Sequence, residues 1–270
     1  MTKQRADILL AEQGLFHSRS AAQRAIMAGL VSDHNHQRID KSGTKFPEGE
    51  KFYVKDDGKK YVSRGGFKLE KALKVFNIDL TDKICLDIGA STGGFTDVAL
   101  QNGAQMVYAL DVGYNQLAWQ LRDDPRVVVM EKQNFRYSKP EDFDQGLPDF
   151  AMTDVSFISL DLIMAPMYAI LKNQCDAVCL IKPQFEAGPE NVGKHGIVHD
   201  HEVHKAVIEH TMQKALEIGF NVLGVDYSPI KGGKGNIEFL IHLQKDEANG
   251  GRNLWQGSPA EVVERAVSGV

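Results

Sequence analysis

The stretch CLDIGASTGGFTDVAL, Cys85–Leu100, decides how the chain reads. An apolar run ends at Asp87, and the chain then turns through Gly89, Ala90, Ser91, Thr92, Gly93 and Gly94 into residues spaced for a helix over 94–101. Strand, tight turn and helix together make a cradle: small residues let a ligand approach the backbone, and a helix N-terminus offers unpaired N–H groups. A nucleotide-type cofactor fits such a turn. A second apolar run ends at Asp111, 24 residues after Asp87, where a carboxylate can accept both hydroxyls of a ribose.

The spacing Gly89-x-x-x-Gly93-Gly94 does not follow the G-x-G-x-x-G dinucleotide pattern, which argues against a pyrophosphate. Asp87, directly ahead of the turn, favours a cation over a phosphate. S-adenosylmethionine joins an adenosine to a cationic amino-acid end, so it is the expected cofactor.

Seven segments beyond Lys60 read as mostly buried strands: KICLDIGA, MVYALDVG, RVVVMEK, FAMTDVSF, AVCLIKPQF, FNVLGVDYS and IEFLIHL. Helices are expected between them at 94–101, 116–122, 160–171 and 202–218. This alternation predicts a doubly wound, Rossmann-like α/β sheet. Only a glycine-rich turn separates the last two segments, so they are expected to form a hairpin that adds an antiparallel strand. Upstream, SRGGFKLEKAL (63–73) puts Phe67, Leu69, Ala72 and Leu73 on one helix face, with Lys68 in the first turn. Residues 246–270 hold GG, SP and an amphipathic AEVVERAV, read as a terminal helix or a loosely held tail.

The first 60 residues have another texture. A helix is expected from Arg5 to Gln13, ended by Gly14, and a second follows in SRSAAQRAIMAG, capped by Ser18 and stopped by Gly29. LVSDHNHQRI and KFYVK read as short strands, which makes a compact αα-then-β unit. The pattern Arg5-x-Asp7-x-x-Leu10, Ser18-Arg19-Ser20-x-Ala22, Ile26-x-x-Gly29-x-Val31 resembles the alpha-L RNA-binding module first named in a ribosomal small-subunit protein. That resemblance implies phosphate-contact roles for Arg5, Arg19, Arg24 and Lys41; the plain alternative is that these cations only solvate a helix face.

Charge distribution agrees with a polyanion met at the N-terminus. The 270 residues carry a net charge of −5, yet residues 1–80 hold 15 Lys and Arg against 10 Asp and Glu. A hydrophobic content of 43% is ample for a core. Three cysteines and no charged-then-apolar leader lead to the expectation of a cytoplasmic protein. The longest apolar run, Leu162–Leu171, is about half a membrane span and contains Pro166, so no transmembrane segment is expected.

Four charged residues stand at strand ends or element starts: Lys68, Asp154 in MTDVSFISL, Lys182 in LIKPQFEAG and Glu238 in GNIEFLIHL. In a doubly wound sheet the strand C-termini share one rim, where Asp154 and Lys182 can meet. Each has a plainer reading as a helix cap, a solvated strand end or a surface ion pair; the ordered Lys, Asp, Lys, Glu set argues for chemistry.

With these motifs the chain resembles the TlyA family, historically labelled hemolysin A: an alpha-L module followed by an FtsJ-like RNA ribose methyltransferase of the class I type. SRGGFKLEKAL, LDIGASTGGFTD, ALDVGYNQL, DVSFISL, IKPQFEAG and KGNIEF carry the resemblance over about residues 5–240. It implies a catalytic tetrad at Lys68, Asp154, Lys182 and Glu238, and a cofactor pocket at Asp87 through Gly94, Asp111 and Asn134, the last reading the adenine edge. It also implies an RNA-binding domain over 1–59, a linker over 60–66, a methyltransferase domain over 67–245 and a tail over 246–270. The implied substrate is ribosomal RNA, with cytidine as the target nucleotide.

A ribose 2′-hydroxyl is a poor nucleophile and a weak acid, so it needs orientation and relief of its proton. Lys182 is expected to make that contact, with Asp154 and Glu238 fixing its ammonium; it acts either as a neutral base or as a charged orienter. Lys68 is expected to hold a phosphate or a neighbouring ribose oxygen, and Phe185 to pack against an unstacked base. Two rival readings remain, a membrane-active hemolysin and a non-catalytic RNA-binding protein on a methyltransferase fold. Cys175, Cys179 and Cys85 read as core packing. His195, His199, His201 and His204 lack the spacing of a metal site, so no metal is expected, and Gly193–Asp200 reads as a lid over the substrate.

Overall fold

A computed structural model describes residues 3–16, 18–54 and 60–269. They divide into two compact units, one over Met1–Lys60 with Ala118–Gln120 and a larger one over Tyr61–Leu117 and Leu121–Val270.

In the smaller unit, strand β1 (Lys3–Arg5) leads into helix α1 (Ala6–Glu12), and α2 (Arg19–Met27) follows. Ser18 Oγ accepts from the Ala21 N–H at 3.2 Å and so caps α2. Short strands β2 (Val31–Ser32), β3 (Lys45–Pro47) and β4 (Tyr53–Val54) complete it, with β1 antiparallel to β3 and β2 to β4. Ala6, Leu9, Leu10, Ala22, Ile26, Val31 and Ile39 form its core. Two expectations need correction. Arg5 ends a strand rather than opening the helix, and LVSDHNHQRI yields only a two-residue strand before Asp33 Oδ1 takes the Asn35 and Gln37 N–H groups in a turn. The end of KFYVK, Lys55, lies outside the described residues.

The larger unit opens with α3 (Gly66–Val75). It continues β5 (Ile84–Ile88), α4 (Gly94–Gln101), β6 (Met106–Asp111), α5 (Trp119–Arg122) and β7 (Val127–Glu131). Then come β8 (Phe150–Thr153), α6 (Asp161–Ile170), β9 (Asp176–Ile181), α7 (Pro183–Glu186) and α8 (His201–Ile218). The hairpin β10 (Phe220–Tyr227) and β11 (Phe239–Lys245) precedes α9 (Pro259–Gly269).

All seven expected strands join one sheet in the order β10-β11-β9-β8-β5-β6-β7. The late hairpin puts its second strand inside the sheet: β11 pairs antiparallel with β9 on one side and β10 on the other, and every other neighbouring pair is parallel. Alternation sorts the side chains by face. Leu86, Ile88, Tyr108, Ile181 and Ile241 pack with α6, α8 and α9. On the opposite face Thr96 of α4 bonds Asp87, and the Phe76 ring after α3 lies 5.2 Å from that of His242. The C-terminal segment is a docked helix, with Val262, Val263 and Ala266 buried, each valine side chain worth roughly 1.5–3 kcal/mol.

Residues 61–66, expected within a linker, pack as part of the larger unit. Tyr61 is buried, and the Val62 N–H donates to Asp97 Oδ2 of α4 at 2.8 Å. A Cβ on Gly94 would lie 2.3 Å from Ser63 Oγ and 3.0 Å from the Gly66 nitrogen, so this close approach requires glycine.

Candidate active site

The parallel strands end on one rim, and the side chains that follow them line it. After β5 the chain enters a left-handed turn at Gly89 (φ +83°) and Gly93 (φ +94°). The Gly89 and Ala90 N–H groups both donate to the Leu110 carbonyl, at 2.8 and 3.0 Å, which ties the turn to β6. At Gly93 a Cβ would collide with Leu117 and Leu121.

Asp87 is fully buried beneath this turn. Its Oδ2 accepts from the Thr96 N–H (2.9 Å) and hydroxyl (2.7 Å), while Oδ1 has no hydrogen-bond partner among the described residues. Burial pushes its carboxyl up to about 7, against the Thr96 hydrogen bonds. A buried acceptor with an open valence fits the ammonium of the amino-acid end of S-adenosylmethionine, and the N–H groups at the start of α4 fit its carboxylate. Asp87, Gly89, Ala90, Ser91, Thr92 and Gly94 line a cavity of about 480 Å³; Gly93 is not among its lining residues.

Asp111 and Asn134 line an adjoining cavity of about 1050 Å³, which shares Gly89, Ser91, Asp154 and Phe157 with the first. Asp111 accepts from the Ser91 and Gly113 N–H groups at 2.8 and 2.7 Å, which fixes its carboxylate at the end of β6. Asn134 Oδ1 accepts from the Arg136 N–H and guanidinium. Both residues line this cavity, which is where the resemblance implies the adenosine.

Lys68, Asp154, Lys182 and Glu238 converge at the cavity floor. Asp154 follows β8, Lys182 follows β9, Lys68 comes from the first turn of α3, and Glu238 precedes β11, whose Phe239 is in register with Ile181. Asp154 bridges the lysines: Oδ1 is 2.5 Å from Lys182 Nζ and Oδ2 is 3.0 Å from Lys68 Nζ. Glu238 Oε2 lies 2.8 Å from Lys68 Nζ, an ion pair without the alignment of a directed hydrogen bond. Lys182 also donates to Ser156 Oγ at 2.9 Å. The expected pairing of Glu238 with Lys182 is thus corrected: Glu238 balances Lys68, and the second partner of Lys182 is Ser156. Burial works against the Lys68 ammonium, but Asp154 and Glu238 outweigh it and raise its pKa above the ordinary lysine value. Burial likewise opposes the Asp154 carboxylate, and the two lysines hold it below its usual range.

Sequence reasoning passed over several groups around this floor. Ser156 and Phe157 lie inside DVSFISL, whose period gave no reason to separate them from its apolar residues. Phe157 is 91% exposed in a left-handed conformation (φ +63°), and its ring is 5.0 Å from that of Phe185. Glu186 pins the loop that carries Phe157, accepting from Ser159 Oγ (2.7 Å) and the Leu160 N–H (2.9 Å). Asn236, in KGNIEF, joins two mouth loops by accepting from the Val198 N–H and donating to the Gly196 carbonyl. Gly196 and Val192, in or beside the expected lid, line the mouth.

Other singled-out residues have structural places. His204 is buried and bonds the Val198 carbonyl, and burial lowers its pKa. Burial pushes the Cys85 and Cys179 thiols up to about 12. Among the described residues no group of three His, Cys, Asp or Glu side chains is placed to hold a metal. In the smaller unit Arg24 and Lys41 are exposed, whereas Arg5 and Arg19 both bond the buried Asp7.

Comparison with known proteins bears on the whole chain. Residues 61–245 match the FtsJ-like methyltransferase family. The chain is 53% identical to the candidate rRNA methyltransferase YqxC of Bacillus subtilis, over 98% of this chain and 94% of that one. It is 40% identical to the 16S/23S rRNA (cytidine-2′-O)-methyltransferase TlyA of Mycobacterium tuberculosis, over 98% and 97%. Hemolysin A of Brachyspira hyodysenteriae is 44% identical over 88% of this chain and 99% of its own. A solved Streptococcus thermophilus structure, provisionally described as a hemolysin, superposes with a TM-score of 0.76 at 53% identity, covering 99% and 97%. With a matched domain that spans the cradle and all four converging residues, and relatives aligned over nearly the full length, the chain belongs to the FtsJ-like methyltransferases, in the group whose members carry the names TlyA and hemolysin A.

Proposed function

We propose that this protein methylates a ribose 2′-hydroxyl of ribosomal RNA, with cytidine as the target nucleotide and S-adenosylmethionine as donor. The observation that carries this reading is the floor of the cavity: two lysines joined through one carboxylate, open to the space beside the cofactor cradle. In this reading residues 1–59 grip the RNA through Arg5, Arg19, Arg24 and Lys41, residues 60–66 connect, 67–245 carry the chemistry, and 246–270 close the fold. Ribosomal subunits are the substrate particles.

The cofactor supplies an electrophilic methyl group on a sulfonium. Asp87 Oδ1 and the N–H groups at the start of α4 would hold its amino-acid end, and Asp111 and Asn134 would hold its adenosine. An ammonium has three N–H donors. Lys182 spends two on Asp154 and Ser156 and keeps one for the 2′-oxygen; Lys68 donates to Asp154, is balanced by the charge of Glu238, and is left with an N–H for a neighbouring phosphate or ribose oxygen. Two ammonium groups and two carboxylates cancel in charge. Were Lys182 to start neutral, the cluster would carry an uncompensated negative charge beside a developing oxyanion. The charged orienter is therefore the better role: its N–H is aimed where negative charge grows, and the hydroxyl proton leaves to water at the cavity mouth. Phe185 and Phe157 flank the mouth, where an unstacked base can lie.

Radiolabelled methyl transfer to ribosomal subunits lacking the modification tests this. Lys182→Ala and Asp154→Ala are each expected to lose at least about a hundredfold in rate, and Lys68→Ala to lose activity with them. Full activity in all three would remove the mechanism. The name hemolysin points to the rival reading. Among the described residues no helix is long and apolar enough to cross a membrane. Red-cell lysis by lipid-free protein that survives Lys182→Ala would favour that rival.

A further inference from the structure

Asp7, the second residue of α1, has no exposed surface. Burying a charge is costly unless hydrogen bonds replace its water, and here they do. Arg5 donates to both carboxylate oxygens, from Nε and Nη2, each at 2.9 Å; Arg19 Nε and Gln23 Nε2 donate to Oδ2 at 2.9 and 2.5 Å. The Arg5 hydrogen bonds, with those of Gln23 and Arg19, overcome burial and hold the carboxyl well below its usual range, so it stays ionised.

Both arginines bond Asp7 and keep part of their surface in solvent. Their side chains remain 38% and 54% exposed. A guanidinium carries five N–H donors, of which Arg5 spends two on Asp7 and Arg19 one. Arg5 Nη1 also reaches the 41–44 turn that carries Lys41, where Gly43 leaves room: a Cβ there would be 3.1 Å away. The Ala6 and Asp7 N–H groups donate to the Thr44 and Ser42 carbonyls and fix that turn against the start of α1.

We propose that Asp7 is a positioning residue for RNA, a buried carboxylate that sets two flexible arginines in one geometry so that their outward N–H groups meet backbone phosphates already ordered. This rests on the reading that Arg5 and Arg19 contact RNA. A free arginine loses side-chain entropy on binding; one already fixed by Asp7 has lost it during folding. The alternative has the opposite sign. Seen only as a negative charge beneath a phosphate-binding face, Asp7 weakens RNA binding, and its removal would tighten it.

The test uses full-length protein and ribosomal RNA transcribed in vitro, with binding followed by anisotropy over a range of salt concentrations. Asp7→Asn is expected to weaken binding about tenfold although the protein gains positive charge, and to raise KM for RNA more than it lowers kcat. Binding that is unchanged or tighter overturns the proposal. Thermal melting reports whether the variant folds. If it does not, Gln23→Met, which keeps every charge and removes one donor to Asp7, carries the test with an expected loss of about threefold; no loss overturns the proposal. Arg19→Ala separates the two layers. If it leaves binding unchanged, the RNA reading fails and the role of Asp7 with it. If it weakens binding while Asp7→Asn and Gln23→Met do not, only the positioning role fails.

Discussion

Lowering the pH from 8 to 6 should weaken S-adenosylmethionine binding while it stabilises the free protein, and both effects should trace to Asp87. Burial raises this carboxyl from an ordinary 3.8 to about 7. If the ionised form alone accepts the cationic ligand, the competent fraction falls from about nine-tenths at pH 8 to about one-tenth at pH 6. That is roughly a tenfold rise in Kd, or about 1.4 kcal/mol. Stability moves the other way. Between pH about 4 and 7 the folded chain holds a proton that the unfolded chain has lost, so stability falls as pH rises through that window, by on the order of 4 kcal/mol in all. Calorimetric titrations at pH 6, 7 and 8 measure the first effect and denaturant unfolding the second. Asp87→Asn serves as reference, because titration of the ligand's own amino group is common to both proteins. The Asn variant should bind more weakly at pH 8, show a flatter affinity profile and be more stable than wild type. The same pH dependence in both proteins would refute the reasoning, as would wild-type affinity that rises on acidification.

Other substitutions probe the surroundings. Glu238→Gln removes the charge that balances Lys68 in a buried pair and should cost about 3 kcal/mol in urea unfolding, with methyl transfer reduced at least tenfold. Gly94→Ala forces a Cβ into Ser63 and the Gly66 backbone; a loss of about 1–3 kcal/mol in stability and weaker cofactor binding by calorimetry are expected. Ser18→Ala deletes the cap of α2 and should lower the stability of the smaller unit by about 1 kcal/mol, read as faster hydrogen exchange at Ala21 and Ala22.

The parts legible in sequence are those set by local physics. Cys85–Leu100 announced strand, turn and helix because small residues, a terminal acid and helical spacing fall within sixteen neighbours. The seven strands were readable because buried strands are continuous apolar runs. Strands β1 and β3 were not: each is three residues long, and what makes them strands is their pairing across some forty residues. Chain order showed β10 and β11 as a hairpin, but the place of β11 inside the sheet depends on β9, far upstream. Lys68, Asp154, Lys182 and Glu238 could be nominated from their positions. Which acid balances which lysine is decided by angstroms at the rim, which spacing along the chain does not encode, and so Glu238 falls to Lys68 and not to Lys182.

The place of β11 also bears on synthesis. A ribosome makes Lys68, Asp154 and Lys182 well before Glu238, and β10 before its sheet neighbour β11. Until β11 emerges, β9 presents an open edge, β10 has nothing to pair with, and Lys68 lacks its second carboxylate. An exposed edge of that kind invites pairing with other chains. A chain that ends between β10 and β11 is therefore expected to aggregate, because the last strand to be made is the one that fills the interior of the sheet.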